Sequence, residues 1–250
     1  MLIVAVAVWE IAATRCDATS VPGDDAWEEA SAAVRAGYHP GDLIVFAPRW
    51  VDPVGRLHLG DLIPIDMAAR MDAARYGRIW ELSIRGASAP ETRGLSPVVT
   101  EDHGGVSVRR YERTPVEVVA DVRDQLATAT SDGARPTLEL AEVGFEPHRC
   151  LQASPTPGKQ LRITFPRLAL GSELVGYVGI ADVFTRRDSR VPALLDVEIA
   201  GRLVASAEAG VDDGWVRFAA PTPPGPADVT FVLRAAKPGR LICFAAEARR

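Results

Sequence analysis

Apolar and polar positions fall into three textures along the chain. The first is a single run, "MLIVAVAVWE", nine apolar residues stopped by Glu10. A bilayer span needs about 20 apolar residues, and a signal peptide usually starts with a basic residue, so the run fits neither template whole. Two readings stay open for residues 1–18. The run is either the outer end of a membrane anchor, with Arg15 and Asp17 marking its exit into water, or a buried first strand.

The second texture mixes helical and strand-like periods. In "DDAWEEASAAVRA", Asp25 can cap a helix whose Trp27, Ala30 and Val34 share one face, and Gly37 lies just past its end. "PGDLIVFAP" is a short apolar run closed by Pro48, the pattern of a buried strand. Asp61 is placed to cap a second helix reaching about Tyr76, with Leu62, Met67, Met71 and Ala74 near one face and Pro64 in the first turn. "RIWELSIRG" alternates with Trp80, Leu82 and Ile84 on one side. "GVSVRRYER" and "PVEVVADV" add further strand-like runs, so residues 19–132 read as a small α/β layered domain.

From about residue 136 short alternating runs are separated by Pro and Gly turns: "TLELAEV", "QLRITFP", "ELVGYVGIAD", "ALLDVEIAG", "GWVRFAAP", "ADVTFVLRA", "RLICFAAEA". Leu195, Val197 and Ile199 form one inward stripe, and Val229, Phe231 and Leu233 another. Such spacing predicts an antiparallel β-sandwich over residues 133–250. The fold class is therefore α+β, a small α/β layered domain followed by a jelly-roll sandwich.

Charge narrows the partners. A net charge of −5 and a pI near 5.5 argue against a nucleic-acid surface, which needs a basic excess to release counterions. Of 28 basic residues 26 are Arg, and Asn is absent, a bias that makes no single Arg notable for being Arg. The three cysteines have no metal-ligand spacing, and neither a metal nor a cofactor is expected. Cys150 and Cys243 fall at the two ends of the strand-rich region, where terminal strands of a sandwich neighbour each other, so their Cα atoms are expected within about 7 Å. Buried free thiols and a disulfide of an oxidising compartment both stay open.

No dinucleotide fingerprint, P-loop, nucleophile elbow or zinc-protease motif is present. The densest polar cluster is "PRWVDPVGRLHLGD", where Trp50, Asp52, Arg56, His58 and Asp61 follow a strand's C-terminal end, the place where ligands gather in open α/β sheets. A His between two carboxylates could act as a base on a small substrate. Against this, Asp52 precedes Pro53 as a turn former, and Asp61 is expected to spend its carboxylate on a helix N-terminus. A second cluster, "DVFTRRDSR", puts Asp182, Arg186, Arg187 and Asp188 between two sandwich strands. It reads either as an Arg/Asp clamp against the first domain or as a sugar site with Trp215 as its stacking ring. His39, His103 and His148 sit beside Pro or Gly and read as turn residues.

The hairpin "DVEIAGRLV" from Asp196 to Val204, followed by "GW-x-x-F" at Gly214 to Phe218 and the aliphatic "ADVTFVLRA", resembles galactose-binding-like jelly-roll domains of the carbohydrate-binding-module kind. The layout "W-x-x-A-x-x-x-V-R…PGDLIVFAP" is similar to the soluble periplasmic portions of polyprenyl-phosphate-sugar membrane glycosyltransferases. The catalytic acidic membrane loops of those enzymes have no counterpart here. The resemblances imply a non-catalytic, extracytoplasmic protein working beside a membrane glycan-assembly system, with a glycan or lipid-linked sugar and a membrane protein as partners. An enzyme using Asp52, His58 and Asp61 is the alternative, and a protein–protein assembly module is a third reading.

Overall fold

The computed structural model describes residues 2–19, 21–181 and 191–250, with residues 16–19 described for their backbone alone. The chain forms two compact units, one of residues 1–64 and 76–115, the other of residues 65–75 and 116–250. Residues 65–75 and 116–132, which the pattern of the sequence groups with the α/β layer, thus lie in the second unit.

The first unit opens with α1 (Leu2–Thr19), so the N-terminal run is not a buried strand. No Gly or Pro interrupts it, and Leu2, Ile3, Val4, Val6, Val8, Trp9 and Ile11 are all exposed, apolar residues circling the helix without forming one stripe. No helix among the described residues is long and apolar enough to cross a membrane. In α2 (Asp24–Gly37) the N-cap position belongs to Gly23, with no side-chain cap, and Asp24 and Asp25 sit in the first turn. The expected Asp25 cap is replaced by carboxylates near the positive helix end.

Four strands follow: β1 (Leu43–Ala47), β2 (Arg78–Ile84), β3 (Pro97–His103) and β4 (Val106–Glu112). They form one sheet in the order β1-β2-β4-β3, with β1 and β2 parallel. A 3-10 turn (Arg49–Val51) and α3 (Asp52–Leu59) bury Val51, Gly55 and Leu59. The helix lies so close that a Cβ at Gly55 would collide with the Phe46 ring.

Alternation on β2 does not leave a wet face, because Glu81 and Ser83 are as buried as Leu82. Glu81 accepts bonds from the Ala89 amide (2.7 Å), the Thr92 hydroxyl (2.6 Å) and Arg109 Nη1 (3.0 Å). Its charge is compensated.

The second unit is the sandwich. Its strands are β5 (Val118–Asp121), β6 (Thr130–Ser131), β7 (Thr137–Val143), β8 (Glu146–Ala153), β9 (Gln160–Leu170), β10 (Glu173–Ile180), β11 (Ala193–Ile199), β12 (Arg202–Ala209), β13 (Val216–Pro221), β14 (Gly225–Ala235) and β15 (Ile242–Arg249). One sheet runs β13-β10-β15-β8-β7, with β5 also paired to β15; the other runs β12-β11-β14-β9-β6. From β8 onward the chain alternates between the sheets except at the β11–β12 hairpin, the double-sheet order of a jelly roll. Leu151, Val178, Ile180 and Phe244 of the first sheet meet Ile163, Leu195, Phe231 and Leu233 of the second in the core.

The outer face of the first sheet is also covered. Cys150 on β8 and Cys243 on β15 form a disulfide there, with Cα atoms 5.6 Å apart, and both are fully buried. The cover comes from residues 65–75, a strap containing only one short helix, α4 (Ile65–Ala68). The expected helix from Asp61 to Tyr76 does not form. Met67, Ala69, Met71 and Ala73 are buried at a period of two. The strap's carbonyls are drawn to tertiary donors: Ala69 O to the Arg149 amide, Met71 O to Trp215 Nε1 and Ala74 O to the Val116 amide.

Candidate functional site

The cluster that follows β1 resolves into separate ion pairs. Asp52 takes Arg56 one turn later, at 2.5 and 3.2 Å. Asp61 caps no helix; it accepts both Nη atoms of Arg35 on α2, at 2.7 and 2.6 Å, and this holds its carboxyl below the ordinary range. The His58 ring is stacked 6.3 Å from Trp27, and its carbonyl takes Arg35 as well. Trp50 is exposed. The two carboxylates are thus engaged by arginines, and no group of three His, Cys, Asp or Glu among the described residues is arranged to hold a metal.

Asp182, Arg186, Arg187 and Asp188, with the whole T-R-R-D-S clamp reading, lie outside the described residues. Trp215 can be placed. Its ring is stacked between His148, centroids 4.5 Å apart, and Tyr177, at 5.9 Å, and its N–H donates to the Met71 carbonyl at 3.1 Å. Two stacked rings and the polar edge are engaged, so the ring is a pillar under the strap.

An Arg/Asp network does exist, in a place the sequence gives no sign of. Asp72 of the strap accepts Arg249 Nη2 at 3.0 Å and the Tyr177 hydroxyl at 3.3 Å. Arg249 also bonds Glu247 at 2.9 Å, and Arg123 grips Asp121 with Nε at 2.9 Å and Nη2 at 2.5 Å. Arg75 comes within 3.4 Å of Glu247. Three arginines meet three carboxylates in a largely buried layer. Burial pushes Glu247 above the usual carboxylate range against the pull of Arg249. Burial first, and Asp72 second, push the Tyr177 phenol up to about 12. Its carboxylates are all paired with arginines, and Arg75 is the half-exposed member.

A second aromatic stands at the loop beside Trp215, on an unusual backbone. Val143 and Glu146 close a two-residue hairpin between β7 and β8, and its central residues, Gly144 and Phe145, have φ of 62° and 70°. Two positive φ angles mark a type I′ turn, whose second central position normally takes Gly. Phe145 is 82% exposed. The turn is packed against the 210–214 loop: a Cβ on Gly144 would come 2.8 Å from Gly214 Cα. A large, mostly exposed apolar side chain therefore sits on a strained backbone, in a turn packed against the Gly214 backbone.

The described sandwich also carries a cleft of about 180 Å³ between β5 and β9, lined by Val119, Ala120 and Leu168 and rimmed by Gln125, Thr128 and Arg167.

No family model matches the chain, and no curated protein does. Solved structures similar to it include a carbohydrate-binding module, CBM51-2, in complex with GlcNAc with the INT domains of Clostridium perfringens ZmpB, at 17% identity and a TM-score of 0.38, covering 68% of this chain and 40% of that one. A second is the tandem CBM51 modules of Sp3GH98, a family 98 glycoside hydrolase of Streptococcus pneumoniae SP3-BS71, at 12% identity and a TM-score of 0.36, covering 59% and 57%. A third is the CBM51 of Clostridium perfringens GH95 in complex with methyl-galactose, at 11% identity and a TM-score of 0.32, covering 52% and 94%. The chain thus spans less than two thirds of the first two.

Proposed function

We propose that this chain is a non-catalytic, extracytoplasmic glycan-binding protein that works beside a membrane glycan-assembly system, and that Phe145 is the ring on which a sugar stacks. One observation carries the reading. A non-glycine residue at positive φ costs about 1 to 3 kcal/mol, and such cost gathers at ligand contacts. Gly, Asn or Asp would satisfy this turn without an exposed ring. Phe145 instead combines a costly backbone with 82% exposure, which supports a place at a binding surface. A sugar presents an apolar ring face to stack and hydroxyls for the neighbouring 210–214 loop, which carries Asp212 and Asp213.

Two features support the setting. The buried Cys150–Cys243 disulfide suits an oxidising compartment. In α1, apolar residues circle the helix, which suits burial in lipid more than a stripe packed on protein.

The test is retention on a glycan array and in polysaccharide affinity gels, comparing the full chain with Phe145→Asn. The variant should lose retention while melting no lower than the parent. Unchanged retention by Phe145→Asn, or a parent that no glycan retains, would overturn the reading.

A further inference from the structure

On β9 the register against β14 slips, so that Pro166 and Arg167 stand opposite Asp228 alone. This is a β-bulge, a device that re-aims a side chain and is enriched beside binding sites. Arg167 occupies it with φ of 49°, where the αL position of such bulges is normally glycine. Its amide donates to Asp228 Oδ1 at 2.8 Å, which pins the backbone. Its guanidinium makes no hydrogen bond or ion pair among the described residues. That sets it apart from Arg123, Arg162, Arg234 and Arg249 of the same unit, each bonded to a carboxylate. The free fork stands on the rim of the cleft between β5 and β9.

The rest of the lining narrows the ligand. The Thr128 hydroxyl donates to the Gln125 carbonyl at 2.8 Å, so toward the cleft it is an acceptor, while the Gln125 side-chain amide supplies a donor and an acceptor. Val119, Ala120 and Leu168 add the smaller, apolar share of the lining. At about 180 Å³ the space falls below the range of roughly 300 to 1,000 Å³ for drug-sized ligands, which suits one ring.

We propose that this cleft binds an acidic monosaccharide unit, a hexuronate, whose carboxylate takes the Arg167 fork, whose hydroxyls meet Thr128 and Gln125, and whose ring face lies against those apolar residues. The planar guanidinium matches a carboxylate with two parallel bonds. The site shares no residue with the Phe145 turn and stands or falls without it.

Titration of the isotope-labelled full chain with sodium glucuronate, followed by amide chemical shifts, tests it. Saturable shifts are expected at Gln125, Thr128 and Arg167, with glucose at least tenfold weaker. Arg167→Gly should abolish the glucuronate shifts while melting no lower, since glycine relieves the backbone. Phe145→Asn should leave the shifts unchanged. Glucose binding as well as glucuronate, inorganic phosphate binding more tightly than either, persistence of the shifts in Arg167→Gly, or no saturable shift at all would each overturn the proposal.

Discussion

Trp215 and Phe145 stand on loops that touch through Gly214 and Gly144, yet they are opposite kinds of aromatic residue. Trp215 stacks with two rings and has an acceptor on its N–H. Phe145 has a strained backbone and is mostly exposed. A side chain packed and hydrogen-bonded from within holds the fold, whereas an exposed one on a costly backbone is a candidate for contact with a ligand. Residue type alone favours Trp215, because tryptophan is the better sugar platform in the abstract. Packing and backbone strain are what favour Phe145 in our proposal.

The contrast can be broken by mutation. Trp215→Ala should cost about 3 kcal/mol, the size expected for removing a well-packed aromatic, and the glycan retention per folded molecule should not change; chemical denaturation combined with affinity gels reads both. Loss of retention at unchanged stability would reverse the roles of the two rings. Asp72→Ala attacks the same pillar from the strap side. It leaves the Tyr177 hydroxyl without its acceptor and Arg249 with Glu247 alone, and should cost about 2 kcal/mol, with protease sensitivity rising first within residues 65–75.

The smallest effect concerns alkaline pH. The Tyr177 phenol is raised from its ordinary 10 to about 12, so the unfolded chain releases this proton first. The group's contribution is fully present below pH 10 and is lost as pH rises toward 12. Tyr177→Phe should therefore flatten the fall of the melting temperature across that window. A fall of equal steepness in both proteins would place the titration elsewhere.

The sandwich was legible because alternation along seven runs leaves few other solutions, and the Cys150–Cys243 proximity followed from terminal strands lying side by side. The strap was not legible. Met67, Met71 and Ala74 satisfy a helical period, while Met67, Ala69, Met71 and Ala73 satisfy a period of two; only the donors of β8 and Trp215, distant in sequence, decide between them. Ion pairs were hidden for the same reason, since Asp61 looks like a cap until Arg35 reaches it. The turn at Gly144–Phe145 was within reach, as two residues between strand-like runs, but its meaning needs the sign of φ.

The strap gives the chain an unusual genetic property. Because residues 65–75 belong to the second unit while the residues on either side belong to the first, no single cut yields the sandwich intact. A piece beginning at residue 116 would lack Met67, Met71 and Asp72 and would expose the disulfide, Trp215 and Tyr177 to water. The sandwich is thus not a cassette that a cut at one junction could lift whole from the chain.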